Sequence, residues 1–393
     1  MLTKLPAACI FLLFYVGSFA QNYDEAKVGT YTLPAVLKTN GGKKITSPKQ
    51  WEKERRPEIL RLFQENIYGQ MPGRYDSIRY TITRTDNTAM EGRALLQQIR
   101  IDVYNKGKRL PIELVLFTPA NAKKPVPCFV LINNRGKENT DPLREAKSEF
   151  WPAEMVIENG YAVAAFHVSD AAPDDKVKYK EGMLQLYPEQ IDQPNGTRAI
   201  GAWAWAASRV LDYLQTNTSI DSKQVAVVGH SRGGKASLWA AACDQRFAMC
   251  ISNCSGNSGL ALSRRNYGET VTRINTSFPH WFNENYKKFN DNESALPVDQ
   301  HMLVALVAPR PLYATNASKD LWADPVGTFL SLKHAEEVYK LYGLPSALPA
   351  APPAIEQPIT SGPLGYHNRE GEHNMTVYDW QQFIRFADNH FKK

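Results

Sequence analysis

The chain has 393 residues, 43% of them hydrophobic and 22% charged, with 24 glycines, 25 prolines and a formal net charge of +6. That balance excludes a collagen-like repeat, a coiled coil and a wholly disordered chain. Its Lys and Arg residues are dispersed rather than blocked together, so the basic charge does not form a nucleic-acid footprint.

Residues 1–20 read as an export signal. Lys4 supplies a positive start, residues 7–17 (AACIFLLFYVG) form a short apolar core, and Ser18-Phe19-Ala20 puts small residues at the cleavage positions before Gln21. The apolar run is shorter than the roughly 20 residues a spanning helix needs, which favours a removable leader over a retained anchor. The mature chain, 21–393, is therefore expected to be a single exported domain, periplasmic or secreted, with no membrane attachment after cleavage. It keeps Cys128, Cys243, Cys250 and Cys254. Export permits disulfides, but a core of this size needs none, and free buried thiols fit equally well. No pair has C-x-x-C spacing, so no zinc or redox site, and no cofactor, is expected.

Along the chain, Ser47-Pro48 reads as the cap and first residue of a helix. Trp51, Ile59, Leu62, Phe63 and Ile67 line one side of it, and Gly69 stops it. Residues 78–84, 98–104 and 111–117 follow as strands, the last two alternating apolar and polar around the turn Asn105-Lys106-Gly107-Lys108. This is an antiparallel meander with one buried face. The pattern then changes to compact apolar runs, 128–133 (CFVLIN), 161–166 (YAVAAF), 224–228, 249–253 and 311–315. Between and after them lie helices at 197–214, 235–242, beyond Pro325 and beyond Thr376, the first with Ile200, Trp203, Ala204, Ala207, Val210, Leu211 and Leu214 on one face. The Pro- and Ala-rich stretch 345–363 reads as a surface loop. Alternating strands and helices imply a mostly parallel sheet covered on both sides. With the meander in front, the outline is an α/β-hydrolase fold, a three-layer αβα sandwich.

The sharpest chemical signal is Gly229-His230-Ser231-Arg232-Gly233, set between the strand QVAVV and the helix KASLWAAA. A nucleophile elbow needs small residues two before and two after its Ser, because the strand-to-helix turn presses backbones together. The remaining members of a hydrolase triad follow in the order acid, then His. Asp320 lies just after the strand 311–315, and its rival Asp324 precedes Pro325 and reads better as a helix cap. His373 lies just before the last helix, with His367 its nearest competitor in the same loop. Ser231 is thus expected to attack an ester carbonyl, His373 to take its proton, and Asp320 to hold the imidazole. The backbone N–H of Arg232, its guanidinium and the loop Asn134-Arg135-Gly136 are candidate oxyanion donors.

The longer run Gly229-His230-Ser231-Arg232-Gly233-Gly234-Lys235 resembles the G-x-S-R-x-G-K signature of the glucuronoyl esterases, carbohydrate esterase family 15, in bacterial form. The likeness extends through residues 255–259 (SGNSG), Arg264-Arg265, Gly268-Glu269, Asp320-Leu321-Trp322 and His373. It implies that Arg232 stabilises the oxyanion and that Lys235, Glu269 and Trp322 meet the sugar. The substrate it implies is the ester joining 4-O-methyl-glucuronic acid side chains of xylan to lignin alcohols. One departure concerns the acid. Many members carry it as a Glu where this chain has Cys254 or Ser255, whereas some bacterial relatives use an Asp matching Asp320. Two other readings stand beside this one: a polysaccharide esterase of different specificity, such as an acetyl xylan esterase, and a secreted carbohydrate-binding pseudoenzyme. The expected partner is a glucuronoxylan or other uronic-acid ester, met by a monomer without nucleic acid.

Overall fold

The computed structural model describes residues 21–392, so the leader expected over residues 1–20 lies outside the described residues. The period-two alternation of the meander and the continuous apolar runs behind it join into one mixed sheet. Its strands are β1 (Ser77–Asp86), β2 (Ala94–Asn105), β3 (Lys108–Pro119), β4 (Val126–Asn133), β5 (Ala162–His167), β6 (Ile220–His230), β7 (Met249–Asn253), β8 (Leu312–Ala317) and β9 (Leu364–Arg369). They lie in the order β1-β2-β3-β5-β4-β6-β7-β8-β9. β1, β2, β3 and β5 pair antiparallel, and β5 through β9 run parallel, with β4 crossing between β5 and β6.

Ser47 caps the first helical run by accepting the Gln50 N–H, with Pro48 at the first position. The run passes from α1 (Pro48–Gln50) through a wider turn into α2 (Arg56–Phe63). Then come α3 (Ala153–Glu158), α4 (Ala199–Leu214), α5 (Arg232–Cys243), α6 (Val271–Ser277), α7 (Gln300–Ala305), α8 (Pro325–Leu341) and α9 (Val377–Phe391). Alternate residues of a central strand feed opposite layers. Cys128, Val130 and Ile132 of β4 belong to the same core layer as Val210, Trp239 and Phe329, while Phe129 and Leu131 belong to the opposite layer with Val156, Trp380 and Phe383. Burial on both faces is why these strands read as unbroken apolar runs. The architecture is the α/β-hydrolase fold.

Two elements differ from expectation. α4 is not one-faced: all of its residues except Asp212 are buried. The segment between β5 and α4 covers its outer side, where Tyr187 packs edge-on against Trp205 with ring centroids 6.0 Å apart. Second, residues 364–369 form β9 rather than part of a loop, so His367 sits in a strand, fully buried. Among the described residues all four cysteines are free, and no helix is long and apolar enough to cross a membrane.

Candidate active site

The end of β6, the elbow and the start of α5 fix Ser231. It adopts φ 55° and ψ −124°, a left-handed conformation that costs a non-Gly residue about 1–3 kcal/mol and persists only where its surroundings impose it. The constraint is visible at Gly229, where an added Cβ would lie 2.0 Å from the Gly233 carbonyl oxygen. The Ser231 N–H donates to the Asn253 carbonyl at 2.8 Å, tying the elbow to the end of β7. The start of α5 directs its free N–H groups toward the same point, which favours negative charge there.

His373 lies in the turn between β9 and α9, its side chain 39% exposed. Its Nδ1 is 2.6 Å from Asp320 Oδ2, and the Asp320 side chain is almost fully buried. An Nδ1–H donated to that carboxylate leaves Nε2 as the basic nitrogen. Ser231 and His373 line one cavity of about 400 Å³, together with Asn134, Arg135, Arg232 and His230. Asp324 lies elsewhere in function: it caps α8 through the Gly327 N–H at 2.8 Å and pairs with Arg265 at 2.8 Å. His367 pairs with Asp379 at 2.9 Å and lies away from solvent.

Arg232 enters the cavity with its guanidinium held from two sides. Nη2 donates to the Asn134 carbonyl at 2.9 Å, and Nε lies 2.5 Å from Asp174 Oδ2. Asp174 also accepts from His280 and from the Trp281 indole, both at 2.7 Å. Burial works against the Asp174 carboxylate, but these donors and the Arg232 charge hold its pKa below the usual value.

Lys235, Glu269 and Trp322 come together as a separate group, outside the residues that line that cavity. Lys235 Nζ reaches Glu269 Oε2 at 2.7 Å, and the Glu269 N–H donates to the Trp322 carbonyl at 2.9 Å. The expectation that Lys235 meets the sugar runs into a physical limit on its donors. An ammonium has three donors, and here they go to Glu269 and to the carbonyls of Ser255, at 2.7 Å, and Asn257, at 2.5 Å. Lys235 therefore orients Glu269, while the half-buried Trp322 keeps surface to offer. Burial pulls Lys235 down and pushes Glu269 up, and their mutual attraction opposes both shifts.

Cys254, where many relatives carry an acid, follows β7 with φ 47°. Its Sγ lies with the Asp320 carboxylate and a His373 nitrogen in a group whose atoms are all within 4.8 Å of one another. Burial first, then the nearby carboxylates of Asp320 and Asp379, push the thiol well above its ordinary value, so it stays protonated. This leaves Asp320 as the carboxylate beside His373.

A family model described as "Glucuronyl esterase, fungi" matches residues 101–343. Carbohydrate esterase MZ0003, from an unknown prokaryotic organism, is 40% identical over 94% of this chain and 92% of its own length. The chain belongs to the glucuronoyl esterase family. A solved glucuronoyl esterase from Solibacter usitatus superposes with a TM-score of 0.88 at 37% identity, covering 93% of this chain and 100% of that one. The 4-O-methyl-glucuronoyl methylesterase of Schizophyllum commune is 27% identical over 87% of this chain and 83% of its own. As a glucuronoyl esterase, the chain is a carboxylic ester hydrolase.

Sequence reasoning missed His230, Asn253, Asp174 and the Asp379 cluster around these groups. His230 is buried, with Nδ1 2.5 Å from Asn253 Oδ1 and its ring centroid 4.5 Å from that of His373. Burial, then the neighbouring His373, lowers its pKa well below the ordinary histidine value, so it is neutral. Asp379 was within reach of a sequence argument, since Thr376-x-x-Asp379 opens α9 as a capping box.

Proposed function

We propose that this glucuronoyl esterase cleaves esters of 4-O-methyl-glucuronic acid, with Ser231 as nucleophile, His373 as general base and acid, and Asp320 as the orienting carboxylate. The observation that carries the assignment is the 2.6 Å contact between His373 Nδ1 and buried Asp320, beside a strained Ser231 on the same cavity. Ser231 Oγ attacks the ester carbonyl as His373 Nε2 takes its proton. The tetrahedral oxyanion draws on the Arg232 N–H and guanidinium. His373 returns the proton to the leaving alcohol as the C–O bond breaks, and water, deprotonated by the same nitrogen, then releases the uronic acid and restores the Ser hydroxyl.

Glu269, oriented by Lys235, accepts from sugar hydroxyls, and Trp322 supplies an apolar plane for the pyranose. The natural substrate in this reading is the ester between glucuronoxylan side chains and lignin alcohols, met outside the cytoplasm by a monomeric mature chain starting near Gln21. The leader pattern at Lys4, residues 7–17 and Ser18-Phe19-Ala20 supports export. The test is hydrolysis of methyl and benzyl glucuronate beside methyl galacturonate and acetylated xylan. Glucuronate esters are expected to turn over fastest, and Ser231→Ala to lower kcat at least ~1000-fold. A preference for acetyl groups, or unchanged turnover in Ser231→Ala, defeats the proposal.

A further inference from the structure

The turn that carries His373 is tied to the end of β8 at Gly371, whose carbonyl accepts the Lys319 N–H at 3.0 Å, but His373 itself lies two residues further on, and the proposed base must be held to within a fraction of an ångström. The backbone on either side of His373 is held by Arg369, the last residue of β9. Its Nη1 donates to the Glu370 carbonyl at 2.9 Å, and its Nη2 to the carbonyls of Glu372 and Asn374, both at 2.8 Å. The two residues flanking His373 are thus pinned by one nitrogen. The third arm, Nε, donates to Asp379 Oδ2 at 2.9 Å.

Asp379 in turn joins three separate pieces of the fold. Oδ2 also accepts the Thr376 N–H at 2.7 Å and hydroxyl at 2.9 Å, closing the start of α9. Oδ1 takes His367 Nε2 at 2.9 Å and Asn253 Nδ2 at 3.1 Å. Asn253 is the residue whose carbonyl holds the Ser231 N–H and whose side chain holds His230. A continuous buried chain of hydrogen bonds therefore runs from the elbow through Asn253 and Asp379 to Arg369 and the turn around His373. None of Asn253, Asp379 and Arg369 is more than 5% exposed, so water does not compete for these bonds.

We infer that Arg369 and Asp379 are positioning residues that fix the His373 turn relative to the Ser231 elbow. The inference rests on His373 being the base. A rigid guanidinium fork suits the task because it serves four acceptors at once, which a lysine cannot do.

The test measures kcat and KM on methyl glucuronate, with thermal unfolding, for Arg369→Met, Arg369→Lys and Asp379→Asn, each alone and combined with His373→Ala. A displacement of about 1 Å costs up to ~100-fold. Arg369→Met is therefore expected to lower kcat about 100-fold with KM within about threefold, and Arg369→Lys and Asp379→Asn to do the same more mildly. In the His373→Ala background the same changes should cost nothing further, whereas a purely structural role costs the same in both. Folded Arg369→Met and Arg369→Lys with parental kcat, or equal losses in the two backgrounds, overturn the inference. If Arg369→Met does not fold, Arg369→Lys and Asp379→Asn decide alone. Undiminished activity in His373→Ala by itself would instead defeat the base assignment, and the inference with it.

Discussion

Replacing Lys235 with Met removes a charge that the fold has fully enclosed. The ammonium is 2% exposed and spends its three donors on Glu269, Ser255 and Asn257. Without it, Glu269, 4% exposed, is left buried beside two carbonyls with no countercharge. Breaking a buried pair from one side costs about 3–5 kcal/mol. An unfolding entropy near 2 cal/mol/K per residue over roughly 370 residues turns that into a fall of about 4–7 °C in Tm. Glu269→Gln is milder, because Lys235 keeps both carbonyls and an amide oxygen takes the place of the carboxylate oxygen it bonded. The double variant should recover part of the Lys235→Met loss, since no charge is then stranded. The pH dependence has a definite sign. The folded-state pKa of Glu269 is raised, and losing Lys235 raises it further. The unpaired carboxylate is then penalised at neutral pH and relieved once protonated, so the gap from the parent narrows as pH falls toward the ordinary Glu value. Calorimetry on the four proteins at neutral and acid pH checks each point. A Lys235→Met protein within 1 °C of its parent (about 1 °C being far below the expected shift), or a Glu269→Gln protein that is the less stable of the two, would refute the reasoning.

Asp320→Asn, which removes the charge beside His373, should lower kcat on the order of 10⁴-fold with little change in Tm. Asp324→Asn, which weakens the cap of α8 and the pairing with Arg265, should cost about 2 kcal/mol of stability with kcat nearly intact; steady-state kinetics with thermal melts would expose the opposite ranking. Gly229→Ala puts a Cβ 2.0 Å from a backbone oxygen that cannot swing aside, so the elbow must open and kcat should fall by ~100-fold or more, read on methyl glucuronate. Burial lowers the His301 pKa from 6.5 to about 4, so the unfolded chain binds the extra proton between those values and acid destabilises the fold. Between pH 8 and 5 this group should account for about 2 kcal/mol of lost stability. Denaturant unfolding of His301→Gln, which can still donate to the Pro34 carbonyl, should lack that increment.

The parts legible in the sequence are those where one simple demand sets the residue types. Strands β4 to β8 are buried on both faces and show it as apolar runs, and the elbow needs Gly229 and Gly233 for room. β9 escaped because its sequence, Leu-Gly-Tyr-His-Asn-Arg, looks like a polar turn. Its His367 and Arg369 are satisfied by Asp379 and by carbonyls, partners that only the fold supplies. α4 misled for a related reason: its small Ala residues allow close cover on the side expected to face water, and no periodicity announces the covering segment. Asp320 and Asp324 were separable because a cap before Pro has its own signature, whereas the role of Lys235 depends on two backbone carbonyls that no spacing reveals. Asp174 lies in a stretch with several carboxylates, none marked by the sequence as the one that meets Arg232.

The unpaired thiol at Cys254 turns the acid's environment into something that can be watched. It is sealed in beside Asp320 and 2% exposed, so a small alkylating reagent reaches it only when the packing there parts. Its labelling rate is therefore a clock for breathing of the packing around Asp320, readable by mass spectrometry without any foreign probe. A tightly held uronate should slow that clock.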